Sequence, residues 1–101
     1  MKTEKKPQKI FELKTEYVEY MPEVKEEGIL YVSERFSLAI HKCCCGCGID
    51  TVTDLKPYWE KGWSIKEEEG KITLRPSIGN FNGERPYHAH YYITKGEVQW
   101  L

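Results

Sequence analysis

The 101-residue sequence has no apolar run able to span a bilayer, no marked excess of one charge and no cysteine outside a single five-residue stretch. Each absence excludes something. Fifteen Lys and Arg balance sixteen Asp and Glu for a net charge of −1. No overall basic field therefore attracts a phosphate backbone, and general nucleic-acid binding is not expected. Lys2, Lys5, Lys6 and Lys9 form only a short solvated arm over residues 1–9. Basic residues open the chain, but no apolar stretch of signal-peptide length follows them, and no segment reads as a membrane span. There is no Gly-x-Ser-x-Gly elbow, and no His/Cys-x-Glu element joined to Pro-Cys-x-x-Cys. The expected setting is a reducing cytoplasm.

What is present is the cluster Cys43-Cys44-Cys45-Gly46-Cys47-Gly48. Disulfides fit it poorly: neighbouring Cα atoms lie about 3.8 Å apart, where a relaxed bridge needs at least about 4.4 Å, and wider pairs would close loops of only a few residues. A metal fits better, because structural zinc takes four thiolate or imidazole ligands, several from one bend and the rest from a remote segment. On a straight strand, alternate side chains sit roughly 6.6 Å apart, so Cys43, Cys45 and Cys47 converge only if the chain curls. Gly46 and Gly48 supply that freedom. A rival set is Cys44 with Cys47, spaced as in a zinc knuckle, with Cys45 turned away. His41 flanks the cluster, and the Tyr87-His88-Ala89-His90 segment offers a remote ligand. There Ala89, Tyr91 and Ile93 are expected to face the core, with His88 and His90 on the other face.

The expected fold is mainly β, a small single domain of antiparallel hairpins over residues 10–101 stapled by one zinc. Strand character begins within Ile10 to Tyr20 and stops at Met21-Pro22. Ile29 to Ser33 and Phe36 to Ile40 form a first hairpin that runs into the cysteines. Asp54 to Lys61 makes a turn or one short helix, limited by Pro57 and Gly62. Trp63 to Lys66 and Ile72 to Arg75 flank a glycine-ended turn, and Tyr87 to Thr94 pairs with Val98 to Leu101. Pro76 to Gly83 reads as a turn-rich loop. Tyr58, Trp59, Trp63 and Trp100 read as core filling.

Candidate chemistry beyond the metal is sparse. Asp50 and Glu84 are conceivable general bases for a zinc-bound water, although a thiolate-rich shell weakens zinc as an acid and favours a structural role. Ser77 has the residue type of a nucleophile and Asn80 that of an oxyanion donor. A demanding turn packed against the metal loop accounts for both more simply. Redox sensing through Cys44 would need an accessible thiol of low pKa.

The order His41-x-Cys43-x-Cys45-Gly46-Cys47-Gly48, then Leu74-x-Pro76-Ser77-Ile78-Gly79-Asn80, then His90-Tyr91-Tyr92-Ile93 and Val98-x-Trp100 resembles an uncharacterised prokaryotic family. The likeness runs from about Gly28, where a Gly-x-Leu-Tyr-Val strand also matches. It implies Cys43, Cys45 and Cys47 as ligands, because the position of Cys44 commonly holds another residue. His90 matches the pattern and is the preferred fourth ligand, with His41, Cys44 and His88 as alternates. The family pattern has a cysteine where this chain has Tyr87, which argues against a four-cysteine site. The resemblance further implies association with prokaryotic ubiquitin-like conjugation systems containing activating-enzyme-like, conjugating-enzyme-like and JAB-type protease components. The expectation is a zinc-binding accessory protein that contacts a protein partner. The alternative is a small zinc hydrolase or transferase acting on a peptide or ubiquitin-like tail.

Overall fold

The computed structural model describes residues 9–82 and 85–101; for 81, 82 and 85–88 it gives the strand but not the side chains. Apart from Lys9, the expected N-terminal arm lies outside the described residues. Two four-stranded sheets share one core. The first has the order β1 (Lys14–Tyr17), β2 (Ile29–Ser33), β3 (Leu38–Lys42) and β4 (Asp50–Asp54), with β1 parallel to β2 and the other pairs antiparallel. The second is an antiparallel meander of β5 (Ser64–Glu68), β6 (Lys71–Asn82), β7 (Arg85–Thr94) and β8 (Glu97–Trp100). The mainly β expectation holds. Among the described residues no helix is long and apolar enough to cross a membrane.

Period-two alternation builds the core. Leu30 and Val32 of β2, Ala39 of β3, Ile72, Leu74 and Ile78 of β6, and Ala89, Tyr91 and Ile93 of β7 form one buried cluster, and Cys43 and Cys44 belong to it. The segment before β1 stitches the two sheets together. Ile10 N–H donates to the Cys44 carbonyl (2.7 Å), Leu13 N–H to Gly96 (2.7 Å), and Val98 N–H to Phe11 (2.9 Å). The outer edge of β8 is thereby covered, which removes a template for unwanted strand pairing.

Two parts of the fold depart from the sequence reading. Asp50 to Asp54 is a strand, paired with β3 from Leu38↔Asp54 to Lys42↔Asp50. Its Asp, Thr and single Val carry little apolar signal, because the buried positions are threonines: Thr53 Oγ1 donates to the Ala39 carbonyl at 2.8 Å. After Asp54, residues 56–61 make turns with no helix, the first of the two expected alternatives. The supposed loop from Pro76 onward continues β6, which pairs with β7 at Ile78↔Tyr91, Gly79↔His90 and Asn80↔Ala89. The register jumps between Leu74 and Ile78, so Arg75, Pro76 and Ser77 bulge opposite Tyr92. Proline, which lacks a ladder donor, is tolerated there. Arg75 holds the bulge. Its guanidinium donates to the carbonyls of Leu74 (2.8 Å) and Ile93 (3.1 Å) and to Thr94 Oγ1 (2.8 Å), and it lies 4.7 Å from the centre of the Tyr92 ring. Trp63 and Trp100 pack against the core, whereas Tyr58 and Trp59 are exposed and stack edge-on against each other.

A side-chain bond also joins the sheets: the Tyr17 hydroxyl donates to Glu67 Oε1 at 2.6 Å. Burial, then the bond and charge of Glu67, raise the Tyr17 phenol to about 12. A raised folded-state value means that this contribution is complete below pH 10 and is lost as pH rises toward 12. Tyr17→Phe is expected to cost about 0.5 kcal/mol at neutral pH, the modest worth of an exposed bond. It should also flatten the alkaline decline between pH 10 and 12, measured by urea unfolding at several pH values. An unchanged decline would assign it to other groups.

Candidate functional sites on the two faces of one hairpin

Strand β3 delivers Cys43 inward, in phase with buried Ala39 and His41. The chain then turns. Cys43 N–H donates to the Ile49 carbonyl (2.8 Å) and Gly46 N–H to the Cys43 carbonyl (3.0 Å). Gly46 (φ 87°) and Gly48 (φ 83°) occupy the left-handed region that such a curl requires. The Sγ atoms of Cys43, Cys45 and Cys47 come within 4.8 Å of one another, and those of Cys43 and Cys45 are 3.4 Å apart. Two thiolates at about 2.3 Å from one tetrahedral ion would lie roughly 3.8 Å apart, so the arrangement fits a shared metal ion. Burial, then the neighbouring thiols, push the Cys45 thiol up to about 12. A cation is what allows such a group to ionise near neutrality.

The remaining candidates are placed elsewhere. Cys44 is fully buried in the core and lies outside the group of three thiols; burial raises its thiol to about 12, so it is not the accessible low-pKa thiol that redox sensing needs. His41 is fully buried, its Nε2 2.7 Å from the Tyr91 hydroxyl, and among the described residues its Nδ1 is a buried nitrogen without a partner. Desolvation lowers its pKa to about 4, which keeps the ring neutral. His41 shares the inward face with Cys43 but lies outside the group of three thiols. Asp50 pairs with Lys42 (2.9 Å) and Lys25 (3.3 Å), and the Lys42 bond leads in holding its carboxyl below the ordinary range. A carboxylate so engaged is a poor base. The side chain of His88, and Glu84 altogether, lie outside the described residues.

The structure does not bring His90 to the cysteines. On β7, Ala89, Tyr91 and Ile93 are buried and point inward, so His90 projects from the opposite face, as does Tyr92. There its Nε2 lies 2.9 Å from Ser77 Oγ. Three local features make that contact. The bulge re-aims Ser77. Gly79, directly across from His90, presents no side chain to block the imidazole. Leu101 N–H donates to the His90 carbonyl at 3.0 Å and fixes the backbone beneath the ring. Both residues are half-buried, so both are reachable from solvent.

Asn80 takes the inward direction. Its Nδ2 donates to Cys43 Sγ (3.1 Å) and to Thr51 Oγ1 (3.0 Å). Packing of this motif against the cysteine loop is thus as expected, while an oxyanion role for Asn80 toward Ser77 is not, because its amide is committed on the other face.

A serine hydroxyl against an imidazole nitrogen on an accessible face is the elementary arrangement of a nucleophile and its base. Residues 17–101 match the family described as bacterial ubiquitination-like system serine protease (BubE). The chain belongs to this family. The match begins at the last residue of β1 and spans β2 to β8, including both the cysteine loop and the Ser77–His90 pair. No curated protein and no solved structure matches the chain. The link to a bacterial ubiquitin-like system, expected from the motif order, is thus established at family level. Sequence reasoning named Ser77 and His90 but not their partnership; the available signal was the alternation of Ala89, Tyr91 and Ile93, which already turned His90 away from the core.

For the cysteine loop, Cys45→Ser and Cys47→Ser are expected to abolish stoichiometric uptake of Zn2+ or Cd2+ by the purified protein. Cys44→Ala should retain it and lose only core packing. Metal supplied at a thousandfold excess over its Kd should raise stability by about 4 kcal/mol, and chelation should reverse the gain. Elemental analysis with thermal unfolding checks both; equal metal loss in Cys44→Ala would overturn the three-ligand assignment.

Proposed function

We propose that the protein is a serine peptidase of a bacterial ubiquitin-like conjugation system, with Ser77 as nucleophile and His90 as general base. The observation that carries this reading is the 2.9 Å contact between Ser77 Oγ and His90 Nε2 on the outer face of the β6–β7 hairpin. Membership of a family described as a serine protease supports it. The substrate is a protein partner, a ubiquitin-like protein or its conjugate, and the setting is a reducing cytoplasm in keeping with four free cysteines.

His90 Nε2, unprotonated, accepts the Oγ proton as Ser77 attacks the scissile carbonyl carbon. The tetrahedral adduct collapses by breaking the bond to the leaving amine or alcohol, which takes the proton from His90. An acyl ester remains on Ser77. Water, deprotonated by His90, then adds to that ester; release of the acid returns the proton to Oγ. Nothing in this sequence requires Asp50 or a metal-bound water.

The metal has a different task in this reading. Cys43, Cys45 and Cys47 hold zinc; among the described residues the buried, unpartnered Nδ1 of His41 lies on the same inward face as Cys43 but outside the group of three thiols, and would fill a fourth position only if the loop closed toward it. Its Nε2–H would then donate to the Tyr91 hydroxyl, the arrangement that orients a ligating histidine. Bound there, zinc supplies structural cross-linking of the loop. Asn80 and Tyr91 rest on that loop from below, while Ser77 and His90 sit above them, so the loop supports the floor of the catalytic face.

A fluorophosphonate is expected to form a covalent adduct on Ser77, identified by mass spectrometry. Ser77→Ala and His90→Gln should each reduce cleavage of the cognate ubiquitin-like substrate by about a thousandfold or more. His90→Gln should nevertheless keep its full metal content, which separates a base from a ligand. Loss of metal in that variant, or undiminished cleavage in Ser77→Ala, would refute the assignment.

A further inference from the structure

Among the described residues, the upper half of β6 has a partner on one side only. Pairing with β5 ends at Ser64↔Arg75, while β6 continues to Asn82 along β7. The direction of each backbone group follows from the ladder. Leu101 N–H reaches the His90 carbonyl, so the peptide groups of His90 face β8. Its partner Gly79 is therefore in a non-hydrogen-bonded pair with β7, and both N–H and C=O of Gly79 point to the side that β5 has left. Among the described residues, no backbone group bonds to Gly79 on that side. Ser77 lies two residues earlier, on the same outer face as Gly79 and His90.

An unpaired donor and acceptor beside a nucleophile form a template for an extended chain. We infer that the substrate binds as an added β-strand along the Ser77–Asn82 edge of β6, its backbone paired with Gly79 N–H and C=O. This inference rests on the assignment of Ser77 as nucleophile. Successive residues of a strand point their peptide groups in opposite directions, so the residue paired with Gly79 lies two positions from the one whose carbonyl meets Ser77. The occupant is an extended peptide segment. Recognition through the main chain selects conformation first, and it excludes folded or helical segments whose N–H and C=O groups are already satisfied.

The test uses blocked six-residue peptides of alternating Thr and Val ending in glycinal, with the penultimate residue varied. The aldehyde carbon takes the Ser77 oxygen, and its own oxygen takes the proton by way of His90, giving a reversible hemiacetal. Counting glycinal as the first residue, N-methylation of the third should weaken protection of Ser77 from a small fluorophosphonate by about tenfold or more, whereas N-methylation of the second should change it little. Hydrogen exchange of the Gly79 amide, fast in the free protein, should slow in the adduct. Equal sensitivity at the two positions, no protection by any peptide of the set, or unchanged exchange at Gly79 would overturn the added strand. Failure of the small fluorophosphonate itself to label Ser77 would overturn the peptidase assignment instead.

Discussion

Strand pleating constrains the molecule more than any single bond, because on β6 and β7 it sends neighbouring residues to different tasks. Along β7, Ala89, Tyr91 and Ile93 enter the core while His90 and Tyr92 leave it. Along β6, Ile78 and Asn80 point inward while Ser77 and Gly79 face out. A shift of one residue in the pairing would exchange these sets. It would bury an imidazole in an apolar layer and remove the Asn80 donor from the cysteine loop. The bulge at Arg75 to Ser77, held by the Arg75 guanidinium, is where the register is set for the upper half of the hairpin.

The two candidate sites are consequently coupled through one layer of backbone. Asn80 joins Cys43 and Thr51, and the Tyr91 hydroxyl meets His41 Nε2 and the Cys44 amide. Burial and the neighbouring thiols Cys44 and Cys43 hold the Tyr91 phenol above its ordinary range, so it stays neutral and able to bridge. A loosened cysteine loop would withdraw these inward partners without touching Ser77 or His90. Positional accuracy at a nucleophile depends on the shell behind it as much as on the reacting groups.

Much of this was legible in the sequence, and the gaps have physical causes. The hairpins around β2 and β3, β5 and β6, and β7 and β8 were readable because β-branched and aromatic residues alternate between turn signals. So was the thiol cluster, since the Cys-x-Cys-Gly-Cys-Gly spacing states its own curl. β4 was missed because threonines fill its inward positions. The strand through Pro76 was missed because Pro, Ser, Gly and Asn speak for a turn unless a neighbouring strand imposes pairing, and only the fold supplies that neighbour. His90 was read as the preferred fourth ligand because it matched the resembled pattern, whereas the structure sets its ring beside Ser77 on the outer face and outside the group of three thiols. The facing argument that placed it outside was already in the alternation of β7.

The stitching of residues 10–13 to the far end of the chain bears on how the molecule reaches this state. Ile10 accepts a bond from the Trp100 indole, ninety residues away, and Phe11 and Leu13 join the last hairpin. Such pairings close very large loops, so a topology of this kind belongs with slow-folding, high contact-order domains. The stitch also cannot close before Trp100 has been synthesised and has left the ribosome. The first described segment is therefore among the last to be fixed, and until then the edge of β8 stands open to other chains. The edge of β8 is thus a template for strand pairing whose protection depends on the two ends of the described chain meeting.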